Sequence, residues 1–267
     1  MLLSRHWLVV VAAAALLGAR RSLQAQDNMR REDHLRWPGG EVTFHLGRNL
    51  TGTVMANIRE VIEGLESVTC LKFSPLVGRR GGRHTTKVLY IRQGRSCYYE
   101  KVGRRASGSV LLKLGDRCAQ RPTAVLHMFL HVVGVRHEHQ RYDRNYYVTV
   151  DHHNILPSHT LEYIRRSWGV SYVASAGLPY DYASIMHHAA KGHPRDSRRP
   201  VMLPLVPCAQ LIMGQRDVLS PADVARLNRL YGCKRYYLGD DIIGAVPYAT
   251  WRRRALRLRR LEDHRRW

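Results

Sequence analysis

The stretch "PTAVLHMFLHVVGVRH", residues 122–137, leaves a chain few ways to fold. From Ala124 to Val133 it is apolar apart from two histidines, so a helix made from it has no polar face for water and must be buried. Pro122 and Thr123 suit the first turn, where a missing N–H costs nothing. His127 and His131 stand four residues apart, which on a helix stacks both imidazoles on one face, close enough for two nitrogens to converge on one metal ion. Gly134 can end the helix, because glycine accepts the left-handed turn that sends the chain back. His137 then follows as a third ligand. One histidine in a buried helix is commonly a hydrogen-bonded core residue, but three at these offsets point to zinc, since burying several unpartnered polar rings is costly. Three neutral imidazoles leave a fourth position open, the arrangement of a catalytic rather than a structural zinc.

The flanking segments predict an α+β fold. "EVTFHL" (41–46) alternates like a half-buried strand, and the segment after it puts Val54, Ile58, Val61, Ile62 and Leu65 on one helical face. "KVLYIR" (87–92) and "GSVLLKL" (108–114) read as further strands, separated by the loops "VGRRGGRHTT" and "KVGRRASG". "LSPADVARLNRLYGC" reads as a helix with Ser220 as N-cap, Pro221 at its first position and Gly232 as C-cap. With 267 residues, 45% of them apolar, the chain can close one domain or two lobes sharing a cleft.

Compartment and charge narrow the function classes. Arg5 and His6 precede the apolar run Trp7–Leu17, and Ala19 or Ala25 suits cleavage, so residues 1–25 read as a secretory signal and the protein as secreted. Cys70, Cys97, Cys118, Cys208 and Cys233 fit an oxidising compartment, with one thiol left over. Asn49-Leu50-Thr51 is a glycosylation sequon. Forty-three basic against 21 acidic side chains give a net charge of +22, a field that attracts polyanions. Part of it lies in a basic C-terminal tail, residues 234–267, ending in "WRRRALRLRRLEDHRRW". That tail admits two readings: a helix with Trp251, Ala255, Leu258 and Leu261 on one side, suited to an anionic membrane or sulfated glycan, or a solvated and mostly disordered segment. No base-reading module is visible, and export separates the chain from nucleic acid.

"HMFLHVVGVRHEHQRYDR" followed by "YDYASIMHH" (180–188) resembles the astacin family of metzincin zinc metalloendopeptidases, peptidase family M12A. The family pattern H-E-x-x-H-x-x-G-x-x-H-E and its Met-turn S-x-M-H-Y are matched by His127, His131, Gly134, His137, Glu138, Ser184, Met186 and His187. "RWPGGEVTF" and "GQRDVLSPADVARLNRLYGC" resemble the start and end of an astacin domain, so the likeness spans residues 36–233, after a short segment or remnant propeptide at 26–35. The resemblance implies a two-lobed fold with one zinc at the floor of a central cleft and an extended peptide as its partner. It also implies that "GSVLLKL" is the edge strand that pairs with that peptide. By the same likeness Cys70 pairs with Cys233 and Cys97 with Cys118, Cys208 stays free, and Glu138 holds a mature N-terminus.

Three departures set this chain apart. In the family, zinc lowers the pKa of its water to ~7 and the glutamate after the first histidine carries the proton, but here that position is Met128, whose thioether has no proton to exchange. Losing such a group typically costs ~10²–10⁴-fold in rate. The tyrosine that supports the oxyanion is His188, free on sequence grounds to donate a hydrogen bond, approach the metal or face solvent. No F-x-G-D latch segment precedes Trp37. Three functions are therefore in view: a zinc- and peptide-binding domain with lost or strongly impaired hydrolysis, a working endopeptidase with a substitute proton relay, and a polyanion binder acting through its tail.

Overall fold

The computed structural model describes residues 35–76, 87–104, 108–166 and 175–263, with side chains through 257. The signal-like segment, residues 26–34 and the loop at 77–86 lie outside these. After a 3-10 turn at Pro38–Gly40 come β1 (Glu41–Leu46), α1 (Gly52–Val68), β2 (Lys72–Pro75), β3 (Val88–Gln93), β4 (Tyr98–Tyr99) and β5 (Val110–Leu114). They are followed by α2 (Asp116–Ala119), α3 (Pro122–Val132), β6 (Val148–Val150), β7 (Met202–Pro204), α4 (Pro221–Tyr231) and α5 (Tyr248–Asp263).

The main sheet runs β2-β1-β3-β5-β4, with β1 parallel to β2 and β3, β3 parallel to β5, and β4 antiparallel to β5. Val54, Ile58, Val61 and Leu65 of α1 turn inward as their spacing predicts, and they meet Val42, Leu89, Ile91, Leu112 and Leu114 of the sheet in one apolar core. Ile62 is only half-buried. Phe129 and Val125 of α3 close this core from the same side.

The expected edge strand requires correction. "GSVLLKL" supplies β5, which is covered on one side by β3 and, at Leu112 and Lys113, by β4 on the other. The physical cause is the Cys97–Cys118 disulfide, which ties the chain just before β4 to α2 just after β5 and lays Tyr98 and Tyr99 along the sheet. Cys70 is joined to Cys233, and Cys208 is exposed and free.

The helical reading of the tail describes the C-terminal segment, with its apolar side turned elsewhere than expected. Tyr248, Trp251 and Ala255 are buried, and Trp251 packs with Leu230 of α4 and with Ala176 and Leu178. Arg229, fully buried, donates to the carbonyls of Ala176, Val246 and Leu238 and pairs with Asp240 at 2.8 Å. The side chains of Leu258 and Leu261 lie outside the described residues. The described side chains from Tyr248 to Ala255 thus pack on the domain.

Candidate metal centre

Helix α3 begins with Pro122 and presents His127 and His131 one turn apart, on the side away from Val125 and Phe129. Gly134 takes φ +96°, the left-handed conformation anticipated for it, and the chain reverses. The last carbonyls of the helix do not go unsatisfied. Gly103 N–H donates to His131 O, the Trp37 indole to Val132 O and the Tyr231 hydroxyl to Val133 O, so three distant segments fix the end of this helix.

His137 folds back to its two partners. Its Nε2 stands 3.1 Å from His131 Nε2 and 3.4 Å from His127 Nε2. Two of these nitrogens must present lone pairs. His127 Nδ1 bonds Ile185 O and His131 Nδ1 bonds Val135 O, each at 2.9 Å, and since a carbonyl only accepts, the ring protons sit on Nδ1. Lone pairs facing one another repel unless a cation lies between them. A tetrahedral zinc with Zn–N bonds of ~2.0–2.1 Å places its ligand atoms about 3.3 Å apart, which matches the separations seen. Burial, followed by the charge of Arg216, pushes His127 down to about 4, and burial also holds His131 and His137 well below the ordinary imidazole range. All three rings are neutral at physiological pH, the form that ligates. Together they could hold one metal ion.

The surroundings brace the three rings. Tyr99 of β4 stacks on His131 with ring centroids 4.0 Å apart. Below, the turn Ser184–His187 is anchored by Asp223, the N3 residue of α4, which accepts from Ser184 Oγ at 2.6 Å and Ile185 N at 2.9 Å while also accepting from the Ser220 N–H. Ser220 Oγ in turn caps Asp223 N–H, so the helix cap and the Met-turn share one carboxylate. Met186 is fully buried and its carbonyl accepts from Glu138 N–H. His187 lies between the Tyr180 hydroxyl and the His188 carbonyl, each at 2.7 Å.

Residues 29–232 match the family profile described as Astacin (Peptidase family M12A). The chain belongs to the astacin family. It is 33% identical over 199 residues to tolloid-like protein 1 of Mus musculus and 30% identical over 209 residues to blastula protease 10 of Paracentrotus lividus. These alignments cover 74% and 78% of this chain but 19% and 33% of those proteins, so the chain spans a fifth to a third of their length. In fold it is similar to high choriolytic enzyme 1, a hatching enzyme zinc-protease from the medaka Oryzias latipes. The TM-score is 0.63 at 24% identity, covering 74% of this chain and 93% of that one. Myroilysin shares the fold with a TM-score of 0.51. The two-lobed α+β architecture of an astacin-like zinc-peptidase domain is therefore that of this chain.

Against that family frame the departures take on geometry. Met128 is 6% exposed and belongs to the main apolar core. His188 does not face solvent: it is buried, its ring lies 4.4 Å from that of His137, and its Nε2 is 3.8 Å from a Glu162 oxygen. Its Nδ1 is buried without a hydrogen-bond partner. Burial and the neighbouring His139 and Arg216 keep it neutral. The partners of Glu138 are Arg226 at 2.7 Å, close but not aligned as a hydrogen bond, and Arg141 at 3.0 Å, with Asp181 N–H also donating to it. Burial opposes its ionisation, yet the two guanidinium groups outweigh this and keep its pKa below the ordinary value. The N-terminal residues that the resemblance assigned to Glu138 lie outside the described residues.

Tyr99, Arg226, Glu162 and the second duty of Asp223 were not anticipated from sequence. Only Asp223 carried a local signal, the Ser-x-x-Asp spacing of a capping box, and that spacing says nothing of the Met-turn it also holds.

Proposed function

We propose that this is a secreted astacin-like domain in which His127, His131 and His137 hold one zinc ion, the cleft binds an extended peptide, and peptide-bond hydrolysis is lost or strongly impaired. When bound, zinc acts as a Lewis acid toward a carbonyl and a water molecule. What the chain lacks is the group that moves the proton. Met128 carries this reading: a thioether packed into the apolar core stands where the family places its carboxylate, and it cannot exchange a proton. The buried carboxylates nearby are committed elsewhere, Glu138 to two arginines and Asp223 to Ser184 and Ile185. Both disulfides, Cys70–Cys233 and Cys97–Cys118, support export to an oxidising compartment, and the sequon at exposed Asn49 is accessible for glycosylation there.

A second reading rests on a different observation. His188 lies between Glu162 and His137, so a carboxylate–imidazole pair could relay a proton in place of the missing glutamate. Casein digestion separates the two. Met128→Glu should raise the cleavage rate by ~10²–10⁴-fold over the natural protein. A natural protein that cleaves as fast as Met128→Glu, and loses that activity in His188→Phe, would overturn the first reading for the second. The polyanion-binding role of the tail has less support, since its Trp251 and Ala255 are used within the fold.

A further inference from the structure

Beyond His188, whose ring lies 4.4 Å from that of His137, is a second set of metal-binding donors. In the 3-10 helix Pro157–Tyr163, His159 and Glu162 are three residues apart, and because a 3-10 helix has three residues per turn, their side chains stand one above the other. His193 comes to the same place from the loop after the Met-turn. It does so at φ +52°, a left-handed conformation uncommon outside glycine, held by the Leu156 N–H on its carbonyl and by the Ile155–Pro194 bridge. The imidazoles of His159 and His193 stack with centroids 3.8 Å apart and 13° between planes. His159 Nε2 is 3.9 Å from one Glu162 oxygen, while His193 Nε2 at 3.6 Å and His188 Nε2 at 3.8 Å face the other. Ser158 Oγ bonds His159 Nδ1 at 3.0 Å, which orients that ring and leaves Nε2 to face the carboxylate.

We infer that His159, Glu162 and His193 form a second zinc site on the rim of the cleft, with His188 Nε2 as its innermost donor. Three imidazoles and one carboxylate are a donor set of the borderline kind that zinc takes. The ligand atoms of His159, Glu162 and His193 all lie within 4.8 Å of one another, and the imidazole-to-Glu162 distances of 3.6–3.9 Å exceed the about 3.3 Å of a closed tetrahedral site, so side-chain rotation must draw the set together around an ion. The half-exposed His159 and the exposed His193 give the ion a path from solvent. An ion here draws on Glu162 and His188 together, the same pair a proton relay would need, so loading this site opposes hydrolysis by that route. The site does not depend on the inner three imidazoles.

The test is zinc content. Full-length protein is equilibrated with zinc chloride, desalted, and assayed for zinc per chain beside His159→Ala/His193→Ala and Glu162→Gln. Two zinc ions per natural chain are expected, falling to one in the double variant. In Glu162→Gln the second ion should be retained at least tenfold less tightly against a competing chelator. The substituted histidines lie toward solvent, and an unchanged melting temperature after metal removal shows that the variants fold. One zinc per natural chain that persists in His159→Ala/His193→Ala, or two that persist there, overturns the proposal. His127→Ala should lose the inner ion and keep the outer one; two ions retained in that variant would fault the inner assignment and leave this one standing.

Discussion

Up to Val132 the described residues form five strands and two long helices closed over Leu65, Leu112 and Phe129, whereas from Val133 to Leu211 they form two three-residue strands and a series of 3-10 helices. The first region is held by apolar burial. The second lends Ile185 and Met186 to the core of the first and Ala176 and Leu178 to the cluster around Trp251, but its own apolar clusters, around Tyr180 and Tyr163, are small and it is knitted largely by buried charge. Glu138 binds Arg226 and Arg141, Arg141 reaches on to Asp143, and Arg144 donates to the carbonyls of His139 and Tyr163. The metal centre sits on the seam, with two ligands on the apolar side and His137 on the polar side. A ligand held by apolar packing and a ligand held by ion pairs should fail under different insults.

Removing one partner of a buried ion pair is the first of these. Arg226→Ala leaves Glu138 buried with one guanidinium instead of two, and such losses run to about 3–5 kcal/mol. Leu112→Ala opens a cavity under the sheet at a cost of about 2–5 kcal/mol. Size alone does not separate them, but pH does. Two guanidinium groups hold the Glu138 pKa below its ordinary value, so its contribution is present above the unfolded carboxylate pKa and fades as pH falls through the folded one. In Arg226→Ala the orphaned carboxyl takes up a proton more readily, so the deficit shrinks on acidification, while that of Leu112→Ala stays level. Urea denaturation of both variants across pH 4 to 7 would show this, and parallel pH dependence would mean that the two regions are not held differently.

That contrast also explains how much could be read in advance. The helical face of Val54, Ile58, Val61 and Leu65, the caps Ser220 and Gly232 and the turn at Gly134 depend on neighbours within about one helical turn, and periodicity or capping rules reach that far. His127, His131 and His137 were legible for the same reason, since eleven residues hold all three. Arg226 meets Glu138 across 88 positions, and Asp223 meets Ser184 across 39, with no pattern at either end announcing the other. The edge strand was misjudged because "GSVLLKL" has strand character whether or not a two-residue neighbour covers it. Residues 234–257 were half-read: charge left open a helix for an anionic surface or a solvated tail, and the docking of Trp251 on Leu230 is a tertiary fact.

Asp181 gives a smaller and oppositely signed effect in the polar region. Burial pushes its carboxyl up to about 6, against the lowering effect of the Ser220 hydroxyl that donates to it. The folded protein therefore binds this proton more tightly than the unfolded chain does. Its stabilising contribution is complete below the unfolded value near ~3.9 and is lost as pH rises through about 6, at most about 3 kcal/mol. Asp181→Asn keeps the Oδ1 acceptor that the Ala183 N–H uses, puts an NH2 that donates to the Ser220 hydroxyl in place of the Oδ2 that accepted from it, and removes the titration. Its melting temperature, relative to the natural protein, should climb between pH 4.5 and 7. A constant difference over that range would show that Asp181 titrates normally.

The mildest perturbation belongs to the apolar region, where polar contacts matter least. Thr51 caps α1 by accepting the Val54 N–H at 3.4 Å, a long bond, so Thr51→Ala should cost about 0.5–1 kcal/mol, the low end for a cap. The same residue completes the sequon of exposed Asn49, and the two duties can be separated. Asn49→Gln in protein expressed by a secreting eukaryotic cell should lose mass on a gel without losing the cap, while Thr51→Ala loses both and Thr51→Ser keeps both. If Thr51→Ala cost as much as Arg226→Ala, local polar contacts would be holding α1 as firmly as ion pairs hold His137. The division of the molecule at Val133 would then describe its appearance and not its energetics.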